Sequence, residues 1–274
     1  MALVRAGEVE LDVERGGRAG GPPLLLIMGM SGTALHWGEP FLRALREDFD
    51  VIAYDHRGVG ASTRLGAEVT IAELAQDAAA LLAALELDSA HVVGISMGGM
   101  IAQELALSHP EAVRTLTLGC SYCGGPGSAL SAPDVLGRLQ EAMMSGDRAR
   151  AIRTGWEVNV SSEFAGEQEQ WDAFAAIAER RAVAVPVVVA QMQAVLGHDT
   201  SERLPSLQMP VLVIHGTADE MLPAENGRLI ASLIPGSRLE IFDGVGHLFF
   251  WERPELSAEL IREHALLNPS FAKA

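Results

Sequence analysis

One serine lies in a sequence context suited to a nucleophile. Gly94, Ser96 and Gly98 form the pattern G-x-S-x-G between an apolar run ending at Ile95 and a segment of helical character. This pattern is typical of a nucleophile elbow, a tight strand-to-helix turn that needs small residues on both sides of the serine. The backbone N–H of Met97, at the predicted helix start, would then be placed to stabilise an oxyanion.

A serine hydroxyl needs a general base, and a histidine base needs a carboxylate to orient it. Two later strand-like segments supply both groups. The run 211–215 leads through a glycine turn to Asp219, and the run 239–242 leads through a second glycine turn to His247. Because parallel strands end at the same edge of a sheet, we expect Ser96, Asp219 and His247 to converge as a catalytic triad.

Three nearby residues offer alternatives. Asp243 precedes the second glycine turn and Glu220 follows Asp219, so each is an alternative acid. His215 lies inside or at the end of its strand-like run, and we interpret it as a structural residue.

A second oxyanion donor is expected after the apolar run 24–28. Gly29 permits a close approach of the backbone, and the N–H of Met30 is our candidate for the second donor. Ser31, the next residue, is interpreted as a stabiliser of the turn.

The sequence lacks the residues that nucleotide-binding and metal-dependent sites need. The serine turn has no glycine where a dinucleotide fingerprint needs one, and no Gly-Lys-Ser/Thr phosphate loop occurs. The eight histidines form no H-E-x-x-H pattern. Cys120 and Cys123 have C-x-x-C spacing, but they follow a strand-like run and have no second pair to complete a zinc site. We therefore expect no metal and no organic cofactor.

Composition bounds the class of protein. The 274 residues are 49% hydrophobic and 20% charged, which allows a sizeable core. A net charge of −16 disfavours nucleic acid and anionic membranes as partners. The N-terminus lacks the apolar region of a signal peptide, and no apolar run reaches the ~20 residues that cross a bilayer. We expect a cytoplasmic protein.

Alternating strand-like and helix-like segments predict how these residues are positioned. Short connections between them favour a mostly parallel sheet with helices on both faces. Thr70 and Glu73 form a capping box at the start of one helix. The alternation stops at about residue 123 and resumes near 209, which predicts core segments at 1–122 and 209–274 and a helical cap at 123–208. Within the cap we expect helices near 135–144, 147–156, 168–181 and 187–196.

These residues together resemble the α/β-hydrolase superfamily over nearly the whole chain. The serine turn, the order Ser96, Asp219, His247 and the run from Asp55 to Ser62, which is similar to the family's D-x-R-G-x-G-x-S turn, carry the resemblance. Asp55 and Arg57 are expected to be structural. The chain is most similar to small bacterial esterases and lactonases such as 3-oxoadipate enol-lactone hydrolases and aclacinomycin methylesterases.

The resemblance implies a substrate pocket under the cap. Our candidates for its lining are Met143, Met144, Trp156, Met192 and Leu248. Arg180 and Arg181 would suit a carboxylate on the substrate, but we interpret them as a solvated helix face.

The expected activity is hydrolysis of a carboxylic ester of a small or medium apolar molecule through an acyl-enzyme. A lactonase, a carbon–carbon bond hydrolase or a cofactor-free perhydrolase or haloperoxidase would use the same triad. A small-molecule receptor with negligible turnover is the alternative of another class. The sequence does not indicate an oligomeric state.

Overall fold

The central feature of the computed structural model, which describes residues 1–66 and 68–267, is an eight-stranded sheet. Its strands lie in the order β1-β2-β4-β3-β5-β6-β7-β8. They are β1 Ala2–Ala6, β2 Val9–Gly17, β3 Pro23–Ile27, β4 Asp50–Tyr54, β5 Ala90–Ile95, β6 Val113–Gly119, β7 Val211–Gly216 and β8 Arg238–Phe242.

Six of the strands form the predicted parallel sheet. β2 pairs antiparallel with both β1 and β4, whereas every pair from β4 to β8 is parallel. The carboxyl ends of β5, β7 and β8 therefore lie at one edge. The sequence reasoning missed β1, a short edge strand whose residues are mostly exposed and show no clear alternation.

Both faces of the sheet are covered. Successive β3 residues contribute to opposite clusters, with Leu25 and Ile27 on one face and Leu24 and Leu26 on the other, because strand side chains alternate. The first face packs against α2 (Ile71–Ala84) and α3 (Met97–Ser108). The second packs against α1 (Glu39–Arg46) and the carboxy-terminal helices α9 (Phe249–Glu252) and α10 (Pro254–Leu266).

The predicted capping box begins α2. The Thr70 hydroxyl accepts the Glu73 N–H at 3.2 Å, and the Glu73 carboxylate accepts the Thr70 N–H at 2.7 Å. These two bonds satisfy N–H groups that the first turn of a helix leaves without partners.

Between β6 and β7 the described chain contains four α-helices and no strand. They are α4 Pro133–Met144, α5 Arg148–Asn159, α6 Gln168–Arg180 and α7 Val185–Leu196, and they agree closely with the helices predicted for the cap. The remaining helix, α8 (Glu225–Leu233), connects β7 to β8. No helix in the described ranges is both long enough and apolar enough to cross a membrane.

Candidate active site

Ser96 occupies the turn that the sequence predicts. It follows β5 directly and is the N-cap of α3, with φ 54° and ψ −126°. A positive φ is costly for a residue with a side chain, so the packing around the turn must hold it. Strained residues of this kind cluster at functional sites.

Close packing explains the glycines around Ser96. A β-carbon on Gly94 would lie 2.2 Å from the Gly98 oxygen, and one on Gly98 would lie 2.0 Å from the Ile27 oxygen. A β-carbon on Gly29 would lie 3.0 Å from Ser96 Cβ and 3.6 Å from its Oγ. Glycine at these positions lets the elbow and the loop after β3 approach each other.

The structure brings Asp219 and His247 into contact. His247 Nδ1 lies 2.7 Å from Asp219 Oδ2, and both side chains are almost completely buried. Since a carboxylate only accepts hydrogen bonds, Nδ1 carries the proton, and Nε2 of neutral His247 is left as the basic nitrogen. This is the tautomer that a general base for a hydroxyl requires.

Asp219 is fixed at both carboxylate oxygens. Oδ1 accepts the N–H groups of Met221 and Leu222, at 2.8 and 2.9 Å. Oδ2 accepts from His247 and also from His215 Nε2, at 3.1 Å. Burial opposes ionisation, but the charge of His247 and the hydrogen bonds from the two imidazoles outweigh it and lower the pKa of Asp219.

Main-chain hydrogen bonds connect the serine turn with the acid and base turns. They continue the sheet past its last strand residues and join Ser96 to Gly119, Cys120 to Ile214, Thr217 to Phe242 and Ala218 to Val245, at N–O distances of 2.8–2.9 Å. The three predicted catalytic residues therefore project from one continuous edge of the sheet.

The alternative acids lie elsewhere. Asp243 is exposed and accepts the Thr217 hydroxyl at 3.1 Å. Glu220 is half exposed and pairs with Arg138 at 2.9 Å. Neither is bonded to His247, so Asp219 is the acid that the geometry favours. His215, which the sequence predicts to be structural, contacts Asp219 because of the turn that follows β7.

Residues 28–34, which carry the predicted donor Met30, are called the oxyanion loop here. Side chains from distant parts of the chain hold this loop. His56 Nε2 bonds to the Met28 oxygen at 2.8 Å, and Asp55 Oδ1 accepts the Ala34 N–H at 2.7 Å. The Ser31 N–H donates to Gln191 Oε1 of α7 at 2.9 Å. Ser31 has a positive φ of 58°, so the bond from the cap stabilises an unfavourable backbone conformation.

Arg181 is not part of a solvated face, and that interpretation was wrong. Its Nη1 lies 2.8 Å from Asp12 Oδ2 and 2.5 Å from Asp55 Oδ2, and its side chain is only 22% exposed. Arg181 therefore ties the end of α6 to β2 and to the turn after β4. Arg57 in the same turn pairs with Asp77 at 2.5 Å, which agrees with the structural role expected for it.

Three residues predicted to line the pocket are either buried in a packed interior or exposed to solvent. Trp156 has no exposed surface and packs against other aromatic rings, so it belongs to the interior of the cap and its contact with the core. Met144 and Met143 are 81% and 43% exposed, at the end of a helix that faces solvent. The half-buried Met192 and the buried Leu248 stay predictions.

The cysteines are free and buried. The Cys120 sulfur lies within 4.8 Å of polar atoms of His215 and Asp219, which is the spacing of a possible metal site. However, His215 and Asp219 are already bonded to each other. Burial and the charge of Asp219 raise the pKa of the Cys120 thiol well above its usual range, so it stays protonated. These groups suit a hydrogen-bonded core better than a metal ion.

The fold and this edge of the sheet define the class of protein. A family model described as the alpha/beta hydrolase fold matches residues 22–254, and the chain belongs to this family. Together with the esterases among its relatives, this makes it a hydrolase.

Three similar proteins illustrate the range of the family. A putative carbamate hydrolase of Azorhizobium caulinodans is 31% identical, with 95% of this chain and 97% of the relative covered. A pimeloyl-acyl-carrier-protein methyl ester esterase of Aeromonas hydrophila is 30% identical, with 93% and 99% covered. The enol-lactonase structure from Burkholderia xenovorans shares the fold, with a TM-score of 0.82, 24% identity, and 97% and 100% covered.

Proposed function

We propose that this hydrolase cleaves a carboxylic ester of a small or medium apolar molecule through an acyl-enzyme on Ser96. The observation that carries the proposal is the buried Asp219–His247 hydrogen bond at the edge of the sheet that also carries the strained Ser96 turn. The methyl ester esterase among the relatives supports ester chemistry.

In the proposed mechanism His247 Nε2 takes the Ser96 proton as Oγ attacks the ester carbonyl carbon. Asp219 holds the imidazole in the required tautomer and stabilises the cation that forms. His247 then gives its proton to the leaving alcohol. Water, deprotonated by the same imidazole, attacks the acyl-enzyme and releases the acid, and the proton returns to Ser96.

The tetrahedral intermediate carries a negative oxygen that needs donors. We assign this role to the backbone N–H groups of Met97 and Met30. The first N–H groups of α3 have no partner within the helix and lie at the positive end of its dipole. Removing one oxyanion donor typically costs about 2.7–4 kcal/mol of activation free energy.

Labelling with a fluorophosphonate tests the nucleophile. The intact protein should take up one equivalent, with the adduct located on Ser96 by mass spectrometry of the digest. The variant S96A should take up none while keeping its circular dichroism spectrum, and S31A, which removes another hydroxyl near the site, should label as the native protein does. Labelling at a different residue would contradict the assignment.

A substrate panel tests the reaction. It contains p-nitrophenyl esters of increasing acyl length, methyl esters, γ- and δ-lactones and a vinylogous diketone. We expect the highest kcat/KM on an open-chain ester, because the methyl ester esterase among the relatives acts on one. A higher kcat/KM on a lactone would indicate a lactonase, and a higher kcat/KM on the diketone would indicate a carbon–carbon bond hydrolase. Tight ligand binding without turnover would favour a receptor.

A further inference from the structure

A second histidine touches the acid of the proposed triad. His215, in β7, is completely buried, and its Nε2 lies 3.1 Å from Asp219 Oδ2 and 2.9 Å from the Leu222 carbonyl oxygen. Neither acceptor carries a hydrogen, so the proton must be on Nε2. His215 is therefore a hydrogen-bond donor to the carboxylate, and the structure determines its tautomer.

The other ring nitrogen of His215 confirms this arrangement. Nδ1 is buried without a hydrogen-bond partner, and it faces Gly227 of α8, where a β-carbon would lie only 2.7 Å from it. A proton on Nδ1 would have no acceptor in this space, and a buried donor without an acceptor is unfavourable. The ring is thus packed so that a single N–H points at Asp219 and Leu222.

We propose that His215 is a positioning residue for the Asp219–His247 pair, which holds the carboxylate in place and moderates the negative charge that faces His247. Oδ2 accepts from both imidazoles, at 2.7 Å from His247 and 3.1 Å from His215. Each hydrogen bond to a carboxylate favours its ionised form and makes that oxygen less basic. The inference rests on the triad of the proposed function.

Two other ionisable groups lie near this pair. The Cys120 sulfur, just after β6, is within 4.8 Å of His215 and Asp219 polar atoms and stays protonated. Glu252 of α9 is close enough to act on the Cys120 thiol, and it accepts the Gly246 N–H, one residue before His247, at 2.8 Å. Both groups are retained in the variants below, so changes in pH dependence report on His215.

The test compares two substitutions of matched shape, H215Q and H215M. Glutamine places an N–H donor where His215 Nε2 lies, whereas methionine has a similar length and no donor. With an ester substrate, H215M should lose about 10- to 100-fold in kcat/KM, because a hydrogen bond to a charged group contributes more than one between neutral groups. Its KM should change little, and the acidic limb of its kcat/KM profile should move to higher pH because Asp219 then stabilises the His247 cation more strongly. H215Q should lie closer to the native protein in both respects.

His91 provides the control for the loss of a buried imidazole from the sheet. It is in β5 near the opposite edge and bonds to Thr115 at 2.9 Å, so H91M should leave the pH profile unchanged. If H215M does not fold, H215F, which keeps a ring and lacks the donor, takes its place. The proposal would be overturned if H215Q and H215M had equal kcat/KM and equal acidic limbs in their kcat/KM profiles.

The proposed function and this inference fail in different ways. If the native protein neither hydrolyses esters nor labels at Ser96, the proposed function is contradicted. If the native protein hydrolyses esters and labels at Ser96, and H215M has native kcat/KM and a native pH profile, only the role of His215 is contradicted.

Discussion

The acid–base pair and the oxyanion loop are attached to the rest of the molecule in different ways. The Asp219 carboxylate takes four hydrogen bonds from residues 215–247, which belong to the last two strands of the core and their turns, and the Cys120 thiol after β6 lies beside it. The oxyanion loop takes its bonds from Asp55 and His56 in the core and from Gln191 in the cap. The Asp219 carboxylate is thus held by core residues alone, whereas the oxyanion loop also takes a hydrogen bond from the cap.

This difference has an energetic side. Asp219 is ionised, and the groups that stabilise its charge all belong to the core. Asp55 is completely buried and shares Arg181 of the cap with Asp12. Burial raises the pKa of Asp55, although the Ala34 N–H and Arg181 both favour its anion. Loss of the cap contact would therefore leave two carboxylates facing each other beside the oxyanion loop.

The largest effect is expected at the acid. An asparagine at position 219 presents an N–H to the imidazole and favours the wrong tautomer of His247, so D219N should lose about 10⁴-fold in kcat. Steady-state kinetics on the best ester would measure it. D243N, which alters the exposed alternative acid, should keep nearly full activity, and a comparable loss in D243N would reassign the acid.

The next largest effect is expected at the contact between the cap and the core. R181M leaves Asp12 and Asp55 without their cation, and breaking a buried ion pair in this way costs about 3 kcal/mol of unfolding free energy. Urea denaturation followed by circular dichroism would measure it. R180M removes the neighbouring exposed charge and should be nearly neutral. Equal stability of the two variants would mean that the contact does not hold the cap.

Acid should lower the free energy of unfolding through histidines that are buried in their neutral form, and one of them lies beside the oxyanion loop. His36, just after the oxyanion loop, accepts the Thr33 N–H on Nδ1 at 3.0 Å, and burial lowers its pKa to about 4 from 6.5. The unfolded chain therefore binds a proton between pH 6.5 and pH 4 that the folded chain does not, so stability falls as the pH drops through this window. At about 1.4 kcal/mol per pKa unit, His36 accounts for about 3 kcal/mol of this loss.

H36N keeps an acceptor near the position of Nδ1 but does not titrate. Its unfolding free energy, measured by urea denaturation at pH 7 and pH 4.5, should depend less on pH than that of the native protein. Asp219 acts in a different window, because its pKa is lowered and its contribution is lost only below the unfolded value of about 3.9. If the unfolding free energy of H36N depends on pH as strongly as that of the native protein, His36 is not the cause of the pH dependence.

The smallest effect is expected for the bond from the cap to the oxyanion loop. Q191M removes the acceptor of the Ser31 N–H, and a single hydrogen bond of about 1 kcal/mol corresponds to roughly a fivefold to tenfold loss in kcat/KM. Because the oxyanion exists only in the transition state, kcat should fall and KM should stay. The exposed Gln193 on the same helix gives the control Q193M, and equal rates for the two variants would show that this bond is dispensable.

The contact between Asp219 and His247 could be predicted from the sequence because its signals are local. A strand, a glycine turn and an acid or a histidine lie within about ten residues of one another, and the parallel sheet then aligns the strand ends. The sequence also predicted the four helices between β6 and β7. The edge strand β1 lacked such a pattern and was missed.

The hydrogen bonds that hold the loop after β3 could not be predicted from local patterns. Gly29 identified the loop, but its partners lie far along the chain, since Gln191 is 160 residues from Ser31 and Arg181 is 126 residues from Asp55. No local pattern shows which polar residue of a cap helix turns inward. The same limit explains why Trp156 was assigned to the pocket, because large aromatic residues serve a packed interior and a binding surface equally well.

The attachment points of the cap also determine which part of it is free to move. Ser161 is bonded to Glu252 at one end of the segment 161–181, and Arg181 is bonded to Asp12 and Asp55 at the other. Between residues 139 and 150, by contrast, the described side chains form hydrogen bonds and ion pairs only within the cap. We therefore expect this hairpin, which is attached to α6 through Arg148, to move more freely relative to the sheet than the segment 161–181 does.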